Sequence, residues 1–317
     1  MTFLRTHFFF LTLALHVSAG TVVCEEGEDS IIISRNGSPV LTYHKTAKVP
    51  EGVDQKYARS GFIHPIRTPS GRVLTDDYPQ PHHSHQNGVF LVWRKAKFEG
   101  KELNFWEPSA ATVRHSKVLE IINGPDKSGF RVERAHVDGE KTILTEIWNV
   151  TVQAKTGHID LHSEQRCATK SPLTLTRYHY GGMAIRGSRQ WFPSAHTSAE
   201  KGASKDEFVT PCRMFTNEGL NEKTGNHSRP LWVCMTGPVD GADVSITLIP
   251  HPSNVRHPQH TRIHPKMPYF CILPSVKEPY TIEPNQPLLS RFRMIAQDGK
   301  PDPIQLNAAQ QSFAGSR

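Results

Sequence analysis

The segment best suited to chemistry is a run of histidines that leads into an apolar stretch. It reads Pro-Gln-Pro-His-His-Ser-His-Gln-Asn-Gly over residues 79–88. In an extended chain, His83 and His85 point to one side while His82 points to the other. Imidazoles placed in this way can transfer protons, bind hydroxyl-rich ligands or hold a metal ion. We interpret His83 and His85 as candidate acid–base groups. His82 and Asn87 are candidate substrate contacts, with a structural hydrogen-bonded cluster as the alternative.

A second polar segment follows an apolar stretch near the end of the chain. It reads His-Pro-Ser-Asn-Val-Arg-His-Pro over residues 251–258 and is followed by Arg262. Imidazole, amide and guanidinium groups together suit a carboxylate, a phosphate or sugar hydroxyls. We predict His251 as a catalytic group. The predicted substrate contacts of this segment are Asn254, Arg256 and Arg262, and a polar loop held by its own hydrogen bonds is the alternative.

Three further residues complete the predicted site. Glu218 is the candidate carboxylate base, or else an ion-pair partner of Arg229, which we also place among the substrate contacts. Arg186 follows a pair of glycines that allow close backbone approach, so its side chain could face a cleft. A β-bulge with a surface arginine is the alternative for Arg186.

Short runs rich in β-branched and aromatic residues must position these groups. They recur at 31–34, 88–93, 117–122, 142–150, 158–164, 173–178, 231–235, 244–249 and 288–295. Several alternate apolar and polar residues with a period of two, and turn residues separate them. We find no long amphipathic helix. The pattern predicts an all-β fold, a large antiparallel β-sandwich.

Composition and charge exclude several classes of protein. The chain has 317 residues, a formal net charge of +7 and 18 histidines. Its basic residues are scattered and are not interleaved with aromatic residues, so nucleic acid is not an expected partner. No nucleophile elbow, phosphate-binding glycine loop or dinucleotide motif is present. The positive net charge instead indicates either a solvated basic surface or attraction to an acidic substrate.

The N-terminus predicts export. Residues 1–19 combine Arg5, a short apolar run and small residues before Gly20, as in a secretory signal peptide. We expect residues 20–317 to form a single β-sandwich domain that is periplasmic or secreted. The apolar run is too short to span a bilayer, so no stable membrane insertion is expected after cleavage.

Taken together, these segments resemble a bacterial family labelled "methane oxygenase PmoA family", a domain of unknown function. The resemblance covers 61–108, 181–186, 216–219 with Trp232, 251–258 and 288–299. It implies an all-β sandwich, possibly like the galactose-mutarotase supersandwich. The family label is not expected to describe the activity, because the methane monooxygenase subunit of that name is a multi-helix membrane protein.

These observations lead to one principal hypothesis and two alternatives. The principal one is an exported carbohydrate-active protein that acts on a sugar or an acidic saccharide by His and carboxylate acid–base chemistry, as an epimerase or a lyase does. A non-catalytic carbohydrate-binding protein is the first alternative and needs exposed tryptophans. A metal-dependent enzyme, with His83, His85 and either His251 or Glu218 as ligands, is the second. No cofactor is implied by a motif, and the expected partner is a small molecule or an oligosaccharide.

Overall fold

A computed structural model of the protein describes residues 20–80, 83–192 and 211–316. The predicted signal peptide, residues 1–19, lies outside them. The strands of the first half are β1 (Val22–Glu26), β2 (Ser30–Arg35), β3 (Ser38–His44), β4 (Phe62–Ile66), β5 (Val89–Val92), β6 (Ala96–Phe98), β7 (Lys101–Leu103), β8 (Ala111–Asn123), β9 (Lys127–Asp138) and β10 (Lys141–Gln153). Those of the second half are β11 (Ile159–Cys167), β12 (Leu173–Leu175), β13 (Gly182–Arg186), β14 (Arg213–Thr216), β15 (Val233–Val239), β16 (Ala242–Pro250), β17 (His260–Ile263), β18 (Tyr269–Leu273), β19 (Tyr280–Ile282) and β20 (Leu288–Asp298). Short 3₁₀ turns span Gln55–Tyr57 and Arg189–Trp191, and an α-helix, α1, spans Pro303–Ala314.

Within the described ranges, the strands form two eight-stranded sheets and one four-stranded sheet. The first sheet has the order β1-β2-β3-β4-β5-β13-β18-β17, and the second has the order β14-β15-β16-β20-β11-β10-β9-β8. The small sheet has the order β19-β12-β6-β7. Neighbouring strands pair antiparallel, as between β13 and β18 or β11 and β20. The all-β antiparallel sandwich predicted from the sequence is therefore confirmed.

The apolar alternation of the strands buries the faces that the two large sheets turn toward each other. In β11, Ile159 and Leu161 are buried while Asp160 between them is partly exposed. Tyr43 of the first sheet packs on the second, with ring centroids 5.1 Å from Phe130 and 6.3 Å from Trp148. Each such side chain contributes about 1.5–3 kcal/mol on burial. One core thus draws on both sheets, and a single domain over 20–317 stays a prediction.

A buried carboxylate lies between the sheets. Glu146 accepts hydrogen bonds from Arg134 at 2.9 Å, His136 at 2.8 Å and Trp148 at 2.7 Å. Ser163 donates a further one at 2.5 Å. Burial alone would raise the pKa of Glu146, but Arg134 and His136 outweigh it and lower that pKa to about 2. The carboxylate therefore stays charged and joins strands β9, β10 and β11.

Helix α1 packs on the face of the second sheet that points away from the main core. The Asp302 side chain caps its first turn by accepting from the Ile304 N–H at 2.9 Å. Leu306 and Phe313 are the helix residues that reach the sheet, where they join a cluster with Trp232. The sequence reading missed this helix because so narrow an apolar face produces little periodicity.

All five cysteines lie in the described ranges, and none of them forms a disulfide there. Cys167 is half-buried and the other four are buried. Burial raises the pKa of Cys24 to about 12 and that of Cys271 to about 11. These thiols are therefore protonated at neutral pH. None of the helices in the described ranges is long and apolar enough to cross a lipid bilayer.

Candidate functional site

A polar cleft of about 200 Å³ lies beside strands β17 and β18. We call it the central cleft. Arg262 of β17 and Tyr269 of β18 form one side, and loop residues form the rest. The polar loop side chains in its lining are His83, His85, Gln86, Glu107, His179, Tyr180 and His264. Histidines from separate parts of the chain therefore meet in one place.

His83 and His85 lie in a turn between β4 and β5. The backbone N–H of Gln86 donates to the His83 carbonyl at 2.8 Å, and His83 has a φ of +70°. This segment is therefore a turn, whereas the sequence analysis assumed an extended chain. The two rings still lie together, with centroids 5.7 Å apart, and both line the central cleft. Their predicted roles as acid–base groups stay predictions.

Two features hold the histidine turn against the sandwich. Gly88 has a φ of +51°, and a Cβ there would lie 2.1 Å from the Ile63 carbonyl oxygen, so this close approach requires glycine. Arg59, which is 1% exposed, donates to the carbonyls of His85 at 3.3 Å and Trp106 at 2.7 Å. Burial lowers the pKa of Arg59 to about 9. Arg59 thus fixes two walls of the cleft relative to each other.

Arg186 and Asn87 lie in the protein interior beside the cleft. Both are fully buried. Arg186 donates to Gln86, a cleft residue, at 3.1 Å and stacks over the Phe192 ring at 4.6 Å. Burial lowers the pKa of Arg186 to about 10. In this structure Arg186 supports the floor of the cleft, and neither Arg186 nor Asn87 contributes to its lining.

A carboxylate and a phenol also line the central cleft, at Glu107 and Tyr180. Glu107 accepts from the Asn104 amide at 3.1 Å and lies 3.6 Å from the Arg94 guanidinium. Arg94 also donates to the Tyr180 hydroxyl at 3.1 Å. Burial raises the pKa of Tyr180 to about 12. Tyr180 is therefore a protonated phenol at neutral pH, held by a cation that also holds Glu107.

Two histidines of the cleft, His85 and His179, favour their neutral form. Burial lowers the pKa of His85 to about 3, with His83 and Arg59 adding to the effect. Burial also lowers the pKa of His179. A neutral imidazole can accept a proton, whereas an imidazolium cannot. Arg262 makes no ion pair with any carboxylate in the described part of the chain, so its charge is available to a ligand.

The structure places His251 and Asn254 away from the central cleft. His251 is 5% exposed, and its Nδ1 lies 2.8 Å from the Ser253 hydroxyl while its ring packs edge-on against Phe313 of α1. Asn254 makes a pair of hydrogen bonds with the backbone of Arg291, at 2.9 Å and 2.7 Å. Both side chains serve contacts between β16, β20 and the helix. Their predicted roles in a substrate site stay predictions that this placement does not support.

Arg256, Arg229 and Glu218 also lie outside the lining of the central cleft. Arg256 donates to the carbonyls of Pro274 at 2.8 Å and Glu278 at 2.9 Å. Arg229 donates to the Pro258 carbonyl at 2.6 Å, and no ion pair with Glu218 forms within the described residues. Glu218 is exposed in the turn after β14. The structure thus supplies Glu107, and not Glu218, as the carboxylate at this site. His82 lies outside the described residues.

The two alternative hypotheses find little support in this arrangement. Trp93, Trp106, Trp191 and Trp232 are each at most 5% exposed, so they offer no open stacking platform. Among the described residues no group of three His, Cys, Asp or Glu side chains is placed to hold a metal ion. His251 and Glu218, the predicted third ligands, are not near His83 and His85 in the cleft lining.

Sequence reasoning missed His179, Tyr180 and the role of Glu107. His179 and Tyr180 belong to three consecutive rings, Tyr178 to Tyr180, that stand directly before Gly181. Their ring centroids lie 4.4 to 4.9 Å apart. A run of aromatic rings before paired glycines was the available signal.

Solved structures similar to this chain include three that are named as carbohydrate-cleaving enzymes. One is a heparan sulfate lyase from Pedobacter heparinus, with 9% identity, a TM-score of 0.38, and 92% of this chain aligned to 37% of that one. Another is a family 36 α-galactosidase from Geobacillus stearothermophilus in complex with stachyose, with 9% identity, a TM-score of 0.43 and coverage of 88% and 41%. A third is an α-N-acetylgalactosaminidase from Bifidobacterium bifidum, with 13% identity, a TM-score of 0.37 and coverage of 96% and 39%.

The chain spans about two fifths of the length of these solved structures, and likeness at this level carries no argument about activity. No curated protein matches the sequence. The family model that matches is that of DUF6807, described as a family of unknown function, over residues 30–311. The resemblance to the methane oxygenase PmoA family is therefore wrong. The segments that suggested it all lie within residues 30–311, the range that the DUF6807 model covers.

Proposed function

The chain belongs to DUF6807, a family of unknown function, and from the residues that line its central cleft we propose that this cleft binds an acidic saccharide. The observation that carries this proposal is the guanidinium of Arg262, which makes no ion pair within the described residues and lies in a cleft with four imidazoles, the Tyr180 phenol and the Arg94-bound carboxylate of Glu107. A guanidinium recognises a carboxylate through two parallel hydrogen bonds. The histidines and Tyr180 can bind ring hydroxyls. Export of the protein remains part of the proposal.

We further propose that the cleft transfers a proton at the carbon next to the substrate carboxylate. Arg262 neutralises that carboxylate, which makes the adjacent C–H bond more acidic. Neutral His85 or His179 takes the proton, and the electron pair of the C–H bond stays on that carbon and spreads onto the carboxylate oxygens that Arg262 binds. Reprotonation from the other side by Tyr180 gives an epimer. Alternatively, the electron pair forms a C=C bond while the neighbouring C–O bond breaks, and Tyr180 protonates the leaving oxygen.

Binding to a panel of uronate disaccharides, built from glucuronate, galacturonate or mannuronate, tests the first step. We expect at least one to bind, with its neutral counterpart about tenfold weaker or worse, which corresponds to about 1.4 kcal/mol. Arg262→Ala should lose a similar factor, while Arg114→Ala, an exposed arginine on β8, should bind as the unchanged protein does. The proposal fails if no uronate binds or if both variants behave alike.

Exchange of the substrate's carbon-bound hydrogen in D₂O, followed by NMR, tests the second step. Both epimerisation and elimination begin with this proton removal, so the measurement does not depend on which follows. We expect His85→Gln to keep binding and to lose exchange. Exchange at the original rate in both His85→Gln and His179→Gln would contradict the assignment of the base.

A further inference from the structure

The central cleft does not end at its own walls. It shares His83, His85 and Glu107 with an open trough of about 550 Å³ that also includes Lys56 and Asn104. On the other side it shares His179 with a pocket of about 250 Å³, the side pocket, lined by Arg177, Tyr178, His227 and Lys277. Cavities that share lining residues lie next to each other. The central cleft is therefore one part of a longer depression.

The depression continues past the side pocket. Lys277 also lines a cavity of about 400 Å³, the end pocket, together with Arg229, Arg256, His260 and Glu278. The order is trough, central cleft, side pocket and end pocket, and we call the whole the groove. Typical pockets for drug-sized ligands occupy roughly 300–1,000 Å³. The groove as a whole thus offers room for several linked sugar rings. Each of its four parts has room only for a short segment of such an oligosaccharide.

Positive charge continues along the groove beyond Arg262. Arg177 and Lys277 are exposed, and neither makes an ion pair within the described ranges. Arg229 and Arg256 donate to backbone carbonyls and line the end pocket. The acidic groups of the lining are Glu107, which lies by Arg94, and the exposed Glu278, 3.7 Å from Arg256. A ligand that fits the groove must therefore carry negative charge at intervals along its length.

Aromatic rings occupy the junction between the central cleft and the side pocket. Tyr178 lines the side pocket, Tyr180 lines the central cleft, and His179 lines both. Arg94 lies over the Tyr178 ring at 5.5 Å, which holds that ring in place. Rings of this kind can contact the apolar faces of sugars, whereas a purely ionic surface would select charge without shape. The junction favours a saccharide over other polyanions.

We propose that the groove binds an acidic oligosaccharide, with Arg177 and Lys277 as contacts for acidic sugars beyond the one held at Arg262. This inference rests on the proposed function in that it takes the central cleft as one subsite. It adds that affinity depends on chain length, since each further acidic sugar meets a cation already in place.

The test compares disaccharides with hexasaccharides of the same uronate panel by calorimetric titration. We expect the hexasaccharide to bind about tenfold tighter or more than the disaccharide. In the double variant R177E/K277E that advantage should vanish while disaccharide affinity stays unchanged. The matched control R114E/K155E reverses the same types of charge at exposed residues that line none of these cavities, and it should keep the length dependence.

The outcomes separate this inference from the proposed function. If disaccharides bind but length has no effect, or if both double variants weaken the hexasaccharide equally, the extended groove is wrong and the central cleft stands. If the hexasaccharide binds and Arg262→Ala changes nothing, the central cleft is wrong while the outer contacts stand. If neither oligomer binds, both are wrong.

Discussion

At the scale of single residues, the chain uses buried charge both to build its core and to support its site. Glu146 lies among Arg134, His136, Trp148 and Ser163 inside the sandwich. Arg59 and Arg186 bring two further guanidinium groups beneath the cleft. Charges in such places are tolerated only where hydrogen bonds replace the lost water. The two sets differ in purpose, because Glu146 joins strands whereas the arginines fix loops.

Glu146→Gln should destabilise the protein strongly. The amide keeps the shape but removes the charge that balances Arg134 and leaves a buried cation without its partner. We expect the free energy of unfolding to fall by about 3–5 kcal/mol. Urea denaturation followed by tryptophan fluorescence measures it.

The matched control is Glu120→Gln, which breaks an exposed pair with Arg131 at 3.4 Å. Exposed pairs contribute about 0–1 kcal/mol, so this change should be nearly silent. Equal losses in the two variants would show that the buried network does not have the role we assign to it.

The residues of the cleft show what a sequence can and cannot reveal. His83, His85 and Arg262 were predictable, because their segments combine side chains of useful chemistry next to apolar strands. His251 and Asn254 follow the same pattern, yet they bind Ser253 and the Arg291 backbone. A polar segment after a strand has the same composition whether it meets a ligand or its own backbone. Only the pairing of distant strands decides between the two.

At the scale of elements, the site and the helix lie on different sheets. The cleft draws on β17, β18 and the loops of the first sheet, whereas α1 covers the outer face of the second. Nine runs of alternating or apolar residues predicted strands that the structure contains. The helix escaped prediction because its contact with the sheet depends on two side chains, Leu306 and Phe313.

Phe313→Ala should therefore weaken the protein without changing the site. The ring is 1% exposed and contacts His251 as well as the guanidinium of Arg293, at 4.5 Å. Removing such a side chain costs about 3–5 kcal/mol in a packed core, and a little less where a helix can readjust. Thermal unfolding and uronate binding would be measured on the same sample.

Ile304→Ala is the control in the same helix, since Ile304 is 79% exposed. It should change stability by less than about 0.5 kcal/mol. A loss of uronate binding in folded Phe313→Ala would place the helix end, with His251, back within the functional site.

At the scale of the whole molecule, the histidines set how stability depends on pH. Burial lowers the pKa of His64, His115 and His158 to about 4, and that of His85 to about 3. In the unfolded chain they titrate near 6.5, so between pH 6.5 and 4 the unfolded state binds more protons. Stability is therefore complete above pH 6.5 and is lost as the pH falls toward 4. Asp76 and Asp77, whose pKa burial raises, act in the opposite direction as the pH falls.

The melting temperature should accordingly fall from pH 7 to pH 4.5, as followed by circular dichroism. His158→Gln removes one of the titrating groups. The free energy of unfolding should then fall less steeply with pH, by at most about 1.4 kcal/mol per pH unit, and the decline of the melting temperature should be shallower. Lys155→Gln, an exposed neighbour in the same hairpin, should leave the slope unchanged. A melting temperature that stays constant over this range would contradict the account.

The buried thiols have a practical consequence for following ligands in solution. A thiol reacts with maleimide dyes as the thiolate, and burial keeps that form scarce at Cys24 and Cys271. A cysteine introduced at an exposed groove residue that is not one of the proposed contacts, as in Glu278→Cys, would therefore be labelled in preference to these buried ones. A dye at that position would report the arrival of a ligand by a change in its emission, with no need to remove the natural cysteines first.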